Sequence, residues 1–217
     1  CKEKINSFGE QLEKVGFDFK FDKKDTRYVM LGSNNKLVTF KIYYTSALTG
    51  NNSFIKIQIN FLEKIMFDYQ AKELLQLIKI NEFTKEDQVY FKEFLDFYKL
   101  IKINVYDIKE IVAEKVRSLL TRKAIKSRDA IDLLFIYNKF KIKPQDILKE
   151  TKEKILFSVN NYDKYKDNLM LTKDKLQTLE FQYNEVSPLV VTQFDKEDFD
   201  NYVKELKPFL IEIVKEI

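Results

Sequence analysis

Apolar and polar residues alternate along the stretch 53–61 from Ile55 onward, where Ile55, Ile57, Ile59 and Phe61 share one side and Lys56, Gln58 and Asn60 the other. A period of two sends successive side chains to opposite faces, so this stretch predicts a strand with one buried and one polar side. Runs at 27–31 and 36–44 predict two further strands, set off by the turn-like segments GSNN and TGNNS. Elsewhere the spacing is close to 3.6. Ile5, Phe8, Leu12 and Val15 predict a short opening helix closed by Gly16. Stretches 69–80 and 85–100 predict two more helices, the second carrying Val89, Phe94, Leu95 and Tyr98, before a short strand at 101–105. Ile108, Ile111, Val112, Val116, Leu119 and Leu120 then form the stripe of a helix ending near Lys123, with Asp107 and Glu110 spaced for a reciprocal capping box. Ser127 is placed to cap a following helix that carries Ala130, Ile131, Leu133, Leu134 and Ile136. Asp129 falls in its first turn, where the dipole favours a carboxylate, and Arg128 and Asp132, four apart, are spaced to pair. From Pro144 onward, helices are predicted at 144–159, 173–183 and 196–216, with Pro188 and Pro208 as local breaks. The class is α+β, a small sheet followed by a helical bundle, and the change of character places a domain boundary between 1–106, with its helical insertion, and 107–217.

Composition narrows the chemistry. A chain of 217 residues can bury a substantial core, and only four glycines and three prolines fit long helices with few tight turns. The net charge of +4 is too mild to argue for nucleic acid by itself. With no histidine, a Ser-His-Asp triad, a Cys-His nucleophile and histidine-based zinc sites are excluded. No Gly-rich phosphate loop is present, and one cysteine rules out an internal disulfide framework. No apolar run reaches the length of a membrane span, so the expected location is cytoplasmic. Cysteine stands at position 1, and helix-like periodicity follows it at once, which fits a chain entered partway better than a lipoprotein tether.

The stretch 107–134 holds three of the four arginines, Arg117, Arg122 and Arg128, in a chain that otherwise uses lysine. Arginine grips carboxylates and phosphates through a planar fork, so its concentration here marks a place where geometry matters. From Lys115 to Arg128 there are six basic residues and no acid, and Asp129 and Asp132 follow immediately. By charge alone this is either a phosphate-facing cluster or a solvated helical face.

The order of residues says more. Glu114-Lys115, then Arg122, then Arg128-Asp129 and Asp132, entered through KINVYDIKE, resembles the signature of the AbiEii/AbiGii nucleotidyltransferase toxins, in which an E-K pair precedes R-D-x-x-D on the next helix. That resemblance implies a nucleotidyltransferase-like sheet in the first domain. It also implies transfer of a nucleoside monophosphate from a nucleoside triphosphate, with Mg2+, onto RNA (tRNA foremost) or protein, by the toxin of a toxin–antitoxin pair acting in phage defence. A cognate antitoxin is the implied protein partner. Lys115, Asp129 and Asp132 are the implied catalytic residues, with Asp129 as general base or orienting carboxylate held by Arg128 and Asp132. Lys56, Arg122 and Arg128 are the implied nucleotide contacts. The family's metal-holding Asp-x-Asp strand is not found: Gly32-Ser33 lacks a downstream acidic pair, and Asp198-Phe199-Asp200 lies in a helical tail. Where the family's inner strand carries an acid, Lys56-Ile57-Gln58-Ile59 presents Gln58, at most a weak neutral metal ligand. Two alternatives follow: a degenerate member that binds nucleotide or RNA without catalysis, and a helical interaction protein whose arginines dock an acidic partner.

Overall fold

The computed structural model describes residues 2–14, 16–20, 22, 24–32, 35–74, 79–92, 95, 102–190 and 194–217. The chain divides into two compact units, Cys1–Lys64 and Ile65–Ile217. The division falls earlier than the change of sequence character at 106/107. A β-ribbon at 70–73 and 102–105 belongs with the helices, and a buried side chain of the bundle holds the backbone just after residue 64.

The first unit carries helix α1 (Lys2–Lys14) and strands β1 (Val29–Gly32), β2 (Leu37–Thr45) and β3 (Asn52–Asn60). The strands form an antiparallel sheet in the order β1-β2-β3, with Val29 opposite Phe40 and Phe40 opposite Ile57. α1 ends before Gly16, whose φ of 86° is the left-handed conformation that glycine adopts without a Cβ penalty. The side chains of Ile5 and Phe8, and Val15, Ser33 and Asn34 altogether, lie outside the described residues. The core of this unit is Phe19, Tyr28, Val29, Val38 and Ile42, with Leu12, Phe17, Phe40 and Tyr43 packed against it. The expected two-sided character of β3 is corrected: all nine of its residues are exposed, and Ile57, the least exposed of its odd-numbered apolar row, is 38% exposed. Alternation fixed the register of β3 but not the covering of its apolar row, which depends on what packs there.

Tyr28 is the titrating group of that core. Burial first, then the hydrogen bond it donates to Asp18 at 2.6 Å and the charge of that carboxylate, push its phenol from 10.0 up to about 12. Between those values the folded state keeps a proton that the unfolded chain releases, so stability is full below the lower value and falls as pH rises through the higher one. Tyr28→Phe is expected to flatten this alkaline loss. Unfolding curves for both proteins between about pH 9 and 12 check it, and parallel losses would show that the phenol is not responsible.

In the second unit, a two-stranded antiparallel ribbon pairs β4 (Gln70–Glu73) with β5 (Lys102–Val105). β4 replaces the start of the helix expected over 69–80, because pairing with a strand thirty residues on outweighs local spacing. Tyr69 and Tyr106 stack at its end, with ring centroids 5.8 Å apart. Helix α2 (Lys85–Tyr90) opens on a Thr84–Asp87 capping box. Phe94 and Tyr98, from the expected continuation to residue 100, lie outside the described residues.

The bundle proper comprises α3 (Ile108–Thr121), α4 (Ser127–Phe140), α5 (Leu148–Asn161), α6 (Asp163–Lys175), the single turn α7 (Tyr183–Val186) and α8 (Lys196–Glu216). α3 is the hub, packing on α4, α5, α6 and α8 through the buried Val112, Ala113, Val116, Leu119 and Leu120. The helix expected at 173–183 is instead α6, ten residues earlier. Its inward positions include Asn168 and Thr172 beside Leu169, so polar side chains conceal the stripe. Pro208 lies inside a continuous α8 and does not break it, while Pro188 sits in a 3-10 turn at Ser187–Leu189. No helix among the described residues is long and apolar enough to cross a membrane.

Candidate active site

Every motif residue of 114–132 lies on α3, on α4 or in the short link between them, and the packing of those helices decides which side chains meet. α3 begins where Asp107 accepts a hydrogen bond from the Lys109 amide at 2.8 Å. The capping box is not completed, because Glu110 turns away from Asp107. Its carboxylate accepts from the amides of Met66 and Phe67 at 2.8 and 3.1 Å and from Lys154 Nζ of α5 at 2.6 Å. Glu110 and Lys154 are both buried, and Lys154 also approaches Glu114 at 3.7 Å. Two backbone donors and one ammonium thus satisfy a carboxylate that burial would otherwise penalise heavily.

One turn on, Glu114 is bound by the Arg117 fork, with Nε at 2.9 Å and an Nη contact to its other oxygen. Burial alone would raise the Glu114 carboxyl, but the Arg117 hydrogen bond and charge, helped by Lys154 and Arg122, hold it below the ordinary glutamate range. Arg117 is itself buried, donates to Thr121 Oγ1 at 3.2 Å and lies over the Tyr165 ring at 5.0 Å. It is therefore a structural tie between α3 and α6. The six-residue basic run is neither a uniform phosphate face nor a solvated stripe, for Arg117 points into the bundle while Lys123, Lys126 and Arg128 are exposed.

The implied catalytic residues do come together. Asp129 is buried, with 1% of its side chain exposed, and its two oxygens face two cations: Lys115 Nζ at 3.3 Å and Arg122 Nη1 at 2.5 Å. Lys115 also donates to Asp132 one turn along α4. The result is a row of alternating charge, Arg122, Asp129, Lys115, Asp132, joining both helices. Burial would lower the Lys115 ammonium, yet the hydrogen bonds and charges of Asp132 and Asp129 outweigh it and hold it above the ordinary lysine range. Lys115 is thus a fixed cation at neutral pH, with 28% of its side chain still exposed; Arg122 retains 38%.

Two expected contacts are corrected. Arg128 and Asp132 form no ion pair among the described residues, because Lys115 takes the Asp132 carboxylate and leaves the Arg128 fork outside. Ser127 is not a cap: it is the first helical residue, and its hydroxyl donates to Glu185 and accepts from the Gln182 amide, each at 2.9 Å. Lys56 and Gln58 stand on β3 of the first unit, opposite Lys41 and Thr39, and Gln58 donates its amide to Thr39 Oγ1 at 3.1 Å. Among the described residues there is no group of three or more histidine, cysteine, aspartate or glutamate side chains placed to hold a metal ion.

Sequence reading missed Lys154, Glu110 as its partner, and Asn168, which donates to the Thr121 carbonyl at 2.9 Å and holds the end of α3. A signal existed for the first: Thr151, Lys154, Ile155, Ser158 and Val159 keep one helical face, so Lys154 occupies a core position.

The fold is α+β, and two cations from α3 and its C-terminal cap are locked by the Asp129 carboxylate of α4. A family model for the nucleotidyl transferase AbiEii toxin of type IV toxin–antitoxin systems matches residues 1–212, and the chain belongs to that family. No curated protein and no solved structure matches it.

Proposed function

We propose that the protein transfers a nucleoside monophosphate from a nucleoside triphosphate to RNA, with tRNA the foremost acceptor, as the toxin of a pair whose second member is a cognate antitoxin. The acceptor hydroxyl oxygen bonds to the α-phosphorus and its proton passes to water as the bond to pyrophosphate breaks, so negative charge moves onto the departing phosphates. Chemistry of this kind is served by positioning and by cations already in place. The observation that carries the reading is the Asp129 carboxylate, buried between Lys115 and Arg122 while both cations stay partly exposed. Both oxygens of Asp129 already face cations in this arrangement, which supports an orienting role. Lys115 and Arg122 would meet the triphosphate, and Asp132 would hold Lys115 from the far side. Magnesium is the implied cofactor of the family, and Gln58 would contribute at most a neutral oxygen.

Incubation with each labelled nucleoside triphosphate, magnesium and total tRNA, followed by measurement of label in RNA and of released pyrophosphate, tests the reading. Transfer is expected in the wild type, and Lys115→Ala is expected to lower it by about 10^2-fold or more. Label on protein instead of RNA would replace the acceptor, and no transfer under any pairing would overturn the activity. One observation favours a second reading, nucleotide binding without turnover: Gln58 stands where the family's strand carries an acid. That reading is identified by triphosphate affinity with no pyrophosphate released.

A further inference from the structure

A cavity of about 340 Å3 opens beside the ion-pair row, between the first turns of α4 and the segment that follows α7. Arg128, Ile131, Asp132 and Phe135 supply one wall at spacings of three, four and seven residues, a single stripe of α4. Val186, Leu189 and Val190 form the opposite wall, all of them apolar. The two Ser127 hydrogen bonds hold that wall in place, pinning Gln182 and Glu185 to the start of α4. Asp132 belongs both to the cavity and to the row, so whatever fills the cavity touches a residue that pairs with Lys115.

The charge at its rim is specific. Among the described residues Arg27 pairs with Asp25, Arg117 with Glu114 and Arg122 with Asp129, whereas Arg128 has no carboxylate partner. An unpaired planar fork beside apolar walls matches a flat, apolar ligand with acceptors along one edge. We infer that this cavity takes the nucleobase of the donor nucleotide, with Arg128 donating to acceptor atoms on the base edge and Phe135 and Leu189 flanking its faces. The assignment rests on the proposed nucleotidyltransferase reading and deepens it: Lys115 and Arg122 hold the phosphates, and the Arg128 cavity selects the base. An arginine fork recognises paired acceptors bidentately, so bases that offer them are favoured.

The test uses the full chain and compares dissociation constants for the four nucleoside triphosphates with that for inorganic tripolyphosphate. Wild type is expected to bind at least one nucleotide about ten-fold more tightly than tripolyphosphate. Leu189→Trp fills the cavity from an exposed position, and Arg128→Met removes the fork while keeping an apolar stem. Both are expected to lower affinity for the preferred nucleotide by about ten-fold and to leave tripolyphosphate within about two-fold. Equal binding of all four nucleotides and tripolyphosphate by wild type overturns the inference, as do variants that leave nucleotide affinity unchanged. Transfer activity that persists with silent variants removes this assignment alone, whereas absence of any nucleotide or tripolyphosphate binding removes the proposed function with it.

Discussion

Asp129→Asn is expected to reduce nucleotide transfer by about 10^2- to 10^4-fold while the protein still folds. The substitution keeps the shape of the side chain and removes the charge that both Lys115 and Arg122 face. Without it the two cations repel one another, Arg122 loses the carboxylate that holds it, and Lys115 is held by Asp132 alone. A stability cost of about 1–3 kcal/mol is expected, because a buried hydrogen-bonding position loses its complement but its partners remain partly in water. The pH profile separates positioning from a purely structural role. Asp129 is one of the two carboxylates that hold the Lys115 ammonium above its ordinary range. Removing it lowers that value, so the alkaline limb of nucleotide binding should move to lower pH in the variant. Transfer within a few-fold of wild type, with an unmoved alkaline limb, would show that the row only fastens α3 to α4.

Lys154→Ala should be the costliest substitution for stability, at about 3–5 kcal/mol. It leaves the Glu110 carboxylate buried with two amide donors but no counter-charge, and it opens space at the centre of the bundle. The double replacement Glu110→Met with Lys154→Met should recover only part of the loss, since the Met66 and Phe67 amides would then lack their acceptor. Urea denaturation of the three variants measures this. A cost below about 1 kcal/mol for Lys154→Ala would mean that water reaches the pair and relieves it.

What could be read from the chain followed from how local the determining contacts are. The three strands of the first unit are joined by short turns, so each pairs with a strand that is its neighbour in the chain. The start of α3 was legible because Asp107 caps it locally, whereas its end falls at Thr121, two residues before the expected Lys123. β4 was read as helix because its partner is distant, and α6 was misplaced because Asn168 and Thr172 occupy inward positions that a hydrophobicity pattern cannot see. The ordered set Glu114, Lys115, Arg122, Arg128, Asp129 and Asp132 pointed to the helix pair on which Lys115, Arg122, Asp129 and Asp132 meet. The wiring among them was not legible. Spacing of four suggested an Arg128–Asp132 pair, but Lys115 from the neighbouring helix reaches that carboxylate first, and only tertiary packing decides such a competition.

The Glu110–Lys154 pair also restricts how this sequence can drift. Either partner exchanged alone leaves a naked charge or an orphaned acceptor at the hub of the bundle, with a penalty of about 3–5 kcal/mol that is comparable to the whole margin of many small folds. A lineage could reach an uncharged core at these positions only by crossing that valley, or by two changes arriving together. The link to Met66 and Phe67 deepens the valley, because residues with no regular structure of their own depend on the same carboxylate. Glu110 and Lys154 therefore act as one inherited character, and their persistence in descendants of this chain would record the difficulty of leaving the pair as much as any advantage in keeping it.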